Sequence, residues 1–224
     1  MTEIKICGIT NIEDALNAAE SGVDALGFIF HPASPRFVTP QQAREIIQEL
    51  PSEISRVGVF VNRDIREVQW TADFCRLDFL QLHGNETPEY CRNFPAHMIF
   101  KAVFPSEETD IKMLSSYPVK ALIADSRDAG RYGGTGKKTD WAAAKKVAGI
   151  MPLILAGGLD AEIIEAAIEA VSPCAVDVCS GVEAWPGKKD HEKVKDVIAS
   201  VRALKKNGGT KIFSKKNDSL HEKN

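Results

Sequence analysis

Eight short apolar runs, each followed by an amphipathic segment, recur along this 224-residue chain. That alternation constrains the fold more than any other feature. The runs fall at residues 3–7, 24–30, 55–61, 77–82, 98–103, 119–125, 153–156 and 174–179. Helix-like stretches lie near 11–21, 40–50, 64–75, 87–93, 107–116, 140–148, 160–171 and 190–205. Within 12–20, Ile12, Ala15, Leu16 and Ala19 repeat at helical spacing with polar residues opposite. Start signals stand at Thr10 or Asn11, at Thr39-Pro40 and at Asp160. Strand–helix units joined by short connections call for parallel strands, and right-handed crossovers bring such a sheet to closure. Several runs, such as Val57 to Val61 and Leu153 to Leu155, are apolar throughout, as expected when both sheet faces are covered. The reading is an α/β fold, a single-domain (β/α)8 TIM barrel over residues 1–205. Residues 206–224 are read as a polar, flexible extension with no role in the fold. A doubly wound open sheet is the competing architecture, but no G-x-G-x-x-G follows the first run.

Composition narrows the function. The apolar fraction of 44% is ample for one packed core. A net charge of −3, with acids and bases interspersed, argues against a nucleic-acid or membrane-surface protein. No run approaches the length of a membrane-spanning helix. Met1-Thr2-Glu3-Ile4-Lys5 lacks the pattern of a secretory signal, so a cytoplasmic location is expected. Five cysteines without a C-x-x-C pair point away from a disulfide framework and from zinc. Cys75, Cys91 and Cys174 read as small buried or half-buried hydrophobes.

Polar residues collect where apolar strands end. They are Cys7, Asn62, Gln81 with His83, Asp125, Gly157-Gly158, and Asp177 with Ser180-Gly181. In a barrel these positions share the C-terminal mouth, where active sites sit. Two long loops, 31–39 and 126–139, open on the same side. The glycine turns after runs seven and eight suit a phosphate, since glycine admits close backbone approach and free N–H groups face the ligand. Equally, either turn alone is explained by backbone tightness. Gly133-Gly134-Thr135-Gly136-Lys137 is no nucleotide triphosphate loop, because Arg131 replaces the first glycine and Lys138 the hydroxyl residue. A thiol and a carboxyl at strand ends have the chemistry of a base and acid pair. Taken alone, though, Cys7 reads better as a core cysteine, and Asp125 equally well as a turn residue.

The motifs together resemble the phosphoribosylanthranilate isomerase family. The resemblance rests on Lys5-Ile6-Cys7-Gly8-Ile9-Thr10, Ser34-Pro35-Arg36, Gln81-Leu82-His83-Gly84, Gly133 to Lys137 with Asp140-Trp141, Leu155 to Leu159, and Val176 to Glu183 with Pro186 to Asp190. These blocks stand in the family order and span residues 5 to 190. Two positions depart from the family's usual residues: Cys179 where serine is usual, and Lys138 where threonine or a similar residue is usual.

The resemblance implies an Amadori rearrangement in tryptophan biosynthesis. N-(5-phosphoribosyl)anthranilate becomes 1-(2-carboxyphenylamino)-1-deoxyribulose 5-phosphate by proton transfers, with no cofactor and no metal. It implies Asp125 as general acid and Cys7 as general base, with Arg36 on the anthranilate carboxylate. Asp177 would lie near the ribose or amine, or else serve structural hydrogen bonding. His83 would be a ligand contact or a satisfied rim histidine. Gly134, Gly157, Gly158, Ser180 and Gly181 would hold the phosphate. The chemistry calls for an Asp125 carboxyl raised above about 3.9 and a Cys7 thiol at or below about 8.5. Strand alternation puts Lys5 on the face of Cys7, where its ammonium is expected to stabilise the thiolate.

Three rivals are weighed. The related sugar isomerase of histidine synthesis carries an aspartate on strand one and paired phosphate loops, whereas this chain has Cys7 and no paired glycines after Asn62 or His83. A non-catalytic phosphosugar-binding barrel would have lost Cys7 or Asp125. A peroxidatic sensor using Cys7 lacks an evident resolving cysteine in sequence. The expected partner is a small-molecule phosphosugar, with no nucleic acid and no membrane, and the chain is a monomer or homodimer.

Overall fold

A computed structural model describes residues 1–128, 131–132, 139–204 and 210–214. Eight parallel strands close into a barrel in the order β1-β8-β7-β6-β5-β4-β3-β2. They are β1 (Glu3–Cys7), β2 (Ala25–Ile29), β3 (Ser55–Phe60), β4 (Phe79–Leu82), β5 (Ile99–Val103), β6 (Ala121–Ala124), β7 (Leu153–Leu155) and β8 (Ala175–Val178). The helices between and after them are α1 (Ile12–Glu20), α2 (Pro40–Gln48), α3 (Ile65–Cys75), α4 (Pro88–Cys91), α5 (Ile111–Leu114), α6 (Trp141–Ala148), α7 (Ile164–Val171) and α8 (His191–Ala203). The expected single (β/α)8 barrel is the observed fold.

The start signals act as local chemistry requires. Asn11 accepts from the Asp14 N–H at 2.9 Å, and Thr39 forms a reciprocal capping box with Gln42 ahead of Pro40. Asp160 also accepts backbone N–H groups, from Glu162 and Ile163, but α7 begins only at Ile164. Residues 161–163 form a turn ahead of it. Helices α4 and α5 are four residues each, much shorter than their amphipathic stretches. Pro95 cuts the first short.

Side chains in two layers form the core. One lies between sheet and helices and holds Ile4, Ile6, Leu26, Leu80, Leu122 and Val176 among others. The second fills the barrel itself with Ala25, Val57, Phe79, Phe100, Ala121, Ile123, Ile154 and Ala175. Ile212 and Phe213 belong to this inner layer, which departs from the expectation that residues 206–224 take no part in the fold. Phe213 packs edge-on to Phe79 and Phe100, with ring centroids 6.3 and 5.7 Å away. The N–H groups of Ile212 and Phe213 both donate to the Glu3 carboxylate, and Ser55 Oγ donates to the Phe213 carbonyl at 2.7 Å. Two adjacent apolar residues in a polar tail thus close the N-terminal end of the barrel. A sequence average over that tail hides them.

Candidate active site

Strand β1 is polar on its inner face. Alternation turns Ile4 and Ile6 toward the helices and sends Glu3, Lys5 and Cys7 into the barrel. The three stand as rungs from bottom to top. The parallel register sets Lys5 opposite Asp177 and Ile6 opposite Val178 on β8. Lys5 Nζ donates to Asp177 Oδ2 at 2.6 Å, with both side chains buried. Burial by itself would lower the Lys5 pKa, but the charges of Asp177 and Cys7 hold it above its ordinary value. The other carboxylate oxygen, Asp177 Oδ1, is buried with no hydrogen-bond partner. It belongs to a residue that lines the cavity at the mouth. Asp177 is thus structural through one oxygen and available to a ligand through the other.

Cys7 ends β1 in the same cavity, 5% exposed. Its thiol is pushed well above its ordinary value, first by the Cys179 thiol and then by burial, with Lys5 pulling the other way. This overturns the expectation of a Cys7 pKa at or below about 8.5. Cys179 goes down to about 7, because the Cys7 thiol, the Lys189 ammonium and the Arg36 guanidinium outweigh its burial. One proton is shared unequally, and the two sulfurs titrate as a unit. Lys5 does favour the Cys7 thiolate, as expected, but less strongly than its neighbours oppose it.

Asp125 follows β6, three strands round from β1, and lines the same cavity. The Ser126 N–H donates to its Oδ1 at 2.7 Å, and His83 Nε2 lies 3.1 Å from its Oδ2. That second contact is close yet poorly aligned, leaving His83 Nε2 without a proper hydrogen bond. Gln81 Nε2 sits 2.8 Å from His83 Nδ1 and orients the ring. His83 is therefore neither a free rim residue nor fully satisfied. Its loop is pinned by a buried ion pair: Lys101 Nζ lies 3.0 Å from Glu86 Oε2 and donates to the carbonyls of Leu82 and Gly84.

Arg36 reaches the cavity from the loop after β2, and its fork is already half used. Nε and Nη2 donate to the two Glu183 oxygens at 2.8 and 2.7 Å. The pair is buried, unlike the surface pair that is the bland alternative for such an arginine. Glu183 also takes Lys189 Nζ at 3.1 Å and the Gly187 N–H at 3.2 Å. Burial would raise its pKa, but Arg36 and Lys189 hold it below its ordinary value. Of this cluster only Arg36 lines the cavity, and its Nη1 edge is not spent on Glu183. That edge fits a planar carboxylate. Glu183 and Lys189 were missed as site residues, since no spacing rule links positions 36, 183 and 189.

The glycine turns divide. Gly157 and Gly158 line the cavity at φ +90° and +66°. A Cβ on Gly157 would come within 2.8 Å of the Ser126 nitrogen, so only glycine lets this turn lie against Asp125. Ser180 also lines the cavity. Gly181 does not; a Cβ there would run into the Leu159 carbonyl, so its smallness lets the two loops pack. Gly134 lies outside the described residues. Among the described residues no group of three His, Cys, Asp or Glu side chains is placed to hold a metal ion, and no helix is long and apolar enough to cross a membrane.

By fold and mouth, this is a (β/α)8 barrel enzyme that gathers two thiols, a carboxyl–imidazole pair and an arginine around one cavity. The family model described as N-(5'phosphoribosyl)anthranilate (PRA) isomerase matches residues 4–200. The chain belongs to that family. A curated relative named N-(5'-phosphoribosyl)anthranilate isomerase, from Syntrophus aciditrophicus, is 51% identical over 202 residues, covering 90% of this chain and 88% of its own. The crystal structure of the Thermotoga maritima enzyme is 43% identical with a TM-score of 0.84, covering 91% of this chain and all of its own. A third, a phosphoribosyl anthranilate isomerase in complex with reduced 1-(o-carboxyphenylamino)-1-deoxyribulose 5-phosphate, is 41% identical with a TM-score of 0.80, with the same coverage.

Proposed function

We infer that the chain catalyses the Amadori rearrangement of N-(5'-phosphoribosyl)anthranilate in tryptophan biosynthesis. The observation that carries the reading is the convergence of Cys7 and Asp125 on one cavity, in a chain of this family. Asp125 delivers a proton to the furanose ring oxygen, and the ring opens to an iminium. The Cys7 thiolate removes the C2′ proton to give an enolamine, which tautomerises to the ketone. One proton enters and one leaves, so the reaction is redox-neutral overall. Cys7 and Cys179 titrate together, so the base is best described as the thiol pair, with Cys7 the member that takes the proton.

The remaining groups position the substrate. The Nη1 edge of Arg36 takes the anthranilate carboxylate, and Asp177 Oδ1 accepts from the amine or a ribose hydroxyl. His83 keeps Asp125 aimed at the ring oxygen. The backbone N–H groups of Gly157, Gly158 and Ser180 hold the phosphate, with Gly134 a further contact from the loop after β6. Gly181 acts indirectly, by letting the Ser180 turn pack. A cytoplasmic enzyme fits free thiols at the site. A Thermotoga maritima relative is described as dimeric; light scattering on this chain decides between monomer and homodimer.

The test is to mix the enzyme with freshly made phosphoribosylanthranilate and follow the loss of its fluorescence. Wild type should turn over, while Cys7→Ser and Asp125→Asn should not. A wild type without activity would overturn the function, and full activity in both variants would overturn the mechanism.

A further inference from the structure

We propose that Cys7 and Cys179 are a peroxide-oxidisable dithiol, and that a disulfide between them across the barrel mouth switches the enzyme off. The sequence shows two cysteines 172 positions apart with nothing to connect them. Strand register connects them. The pairing ends with Lys5 against Asp177 and Ile6 against Val178; Cys7 and Cys179 are the next residues along the two chains, and both line the cavity. Neighbouring strands lie about 4.8 Å apart, inside the span of about 4.4–6.8 Å between the Cα atoms of a disulfide. Both rungs are flanked by glycine. A Cβ on Gly27 would come 2.7 Å from the Cys7 sulfur, and one on Gly8 3.2 Å from the Cys179 sulfur. The Cys7 sulfur thus fills the space beside Gly27, and the Cys179 sulfur the space beside Gly8, the residue that follows Cys7.

The two thiols are unequal in the way the chemistry needs. Cys179 is half-buried, lines the open cavity and has the Lys189 ammonium and Arg36 guanidinium near it. Its thiolate character makes it the attacking sulfur. Cys7 lies deeper and keeps its proton, as a resolving thiol does. The thiolate of Cys179 attacks one oxygen of hydrogen peroxide, breaks the O–O bond and becomes a sulfenic acid, with hydroxide leaving. The Cys7 sulfur then attacks the sulfenic sulfur, the S–S bond forms, and water leaves with the Cys7 proton. Two thiols and one peroxide give one disulfide and two waters. No other described cysteine competes. Cys75 and Cys91 are buried, their thiols pushed up to about 11 by burial, and Cys174 sits at the opposite end of β8.

The loss of turnover rests on the proposed base role of Cys7; formation of the bond does not, and the two are read separately. Reduced protein is treated with hydrogen peroxide, capped with iodoacetamide, digested and mapped, with isomerase activity followed alongside. The expected result is a crosslinked peptide joining Cys7 to Cys179. Activity should fall at least about 10-fold in step with it and return with dithiothreitol. Cys179→Ser should give no crosslink, and its oxidation should slow about 10-fold relative to wild type. Failure of the crosslink to form in wild type, or sulfinic acid at Cys7 in its place, would overturn the dithiol. Turnover that persists in crosslinked protein would overturn the switch and the base role of Cys7 together. A crosslink in a wild type without isomerase activity would uphold the dithiol and sink the function.

Discussion

The two mouths of the barrel are closed in opposite ways, although the same strand supplies a polar side chain to each. At the bottom, Glu3 accepts two N–H groups from the returning tail, and Ile212 and Phe213 seal the opening. At the top, Cys7 faces a cavity whose wall includes Asp177 Oδ1 and Gln81 Oε1, both buried without partners. A buried acceptor left unpaired costs about 1–3 kcal/mol. The bottom is thus packed shut, and the top keeps acceptors without protein partners beside a cavity.

Predictions sharpen that contrast. The largest effect belongs to the top: Cys7→Ser or Asp125→Asn should lower kcat by about 10²- to 10⁴-fold while thermal unfolding barely moves. A matching fall in melting temperature would show that these side chains serve the fold. Next comes the bottom, where Phe213→Ala should destabilise by about 3 kcal/mol in urea titrations with kcat/KM unchanged. Altered kinetics in that variant would mean the two mouths communicate. A smaller shift tests the rung between them. Lys5→Met should raise the pH midpoint for Cys7 alkylation, and an unmoved profile would remove Lys5 from thiolate stabilisation.

The smallest effect concerns acid. Glu183 and Asp14 both have depressed pKa values: burial opposes ionisation, but Arg36 and Lys189 around Glu183, and Lys188 and the Lys189 N–H around Asp14, outweigh it. Below their ordinary range the unfolded chain binds protons that the folded chain refuses, so stability rises with pH. That contribution is complete above the unfolded values, about 4.5 and 3.8, and is lost as pH falls through the lower folded ones. Urea midpoints should therefore drop below about pH 4.5 in wild type and drop less in Glu183→Gln.

Barrel architecture was legible because its signals are local. Apolar runs, caps such as Asn11 and Thr39, and glycine turns at 157–158 depend on neighbours a few residues away. Cys7, Asp125, Arg36, His83 and Asp177 were legible as candidates for the same reason, each standing in a motif at or near a strand end. Their partners were not. Glu183 on Arg36, Lys101 under the His83 loop and Cys179 near Cys7 come from other strands and loops. Nor does the sequence show an evident partner for the Cys7 thiol, because strand register cannot be counted along the chain. The tail failed for the reverse reason: its polar average masked the one apolar pair that packs.

By itself the sequence determined the (β/α)8 barrel and gathered its candidate site residues at one mouth. Periodicity and turn chemistry act over a few residues, and a linear string records them. Tertiary structure alone decided which charges meet. It put two cations on Glu183, gave Asp177 one occupied and one free oxygen, and moved the lower thiol pKa from Cys7 to Cys179. Protonation depends on burial and on charges brought within a few ångströms by closure of the barrel, and those distances exist only once the chain is folded.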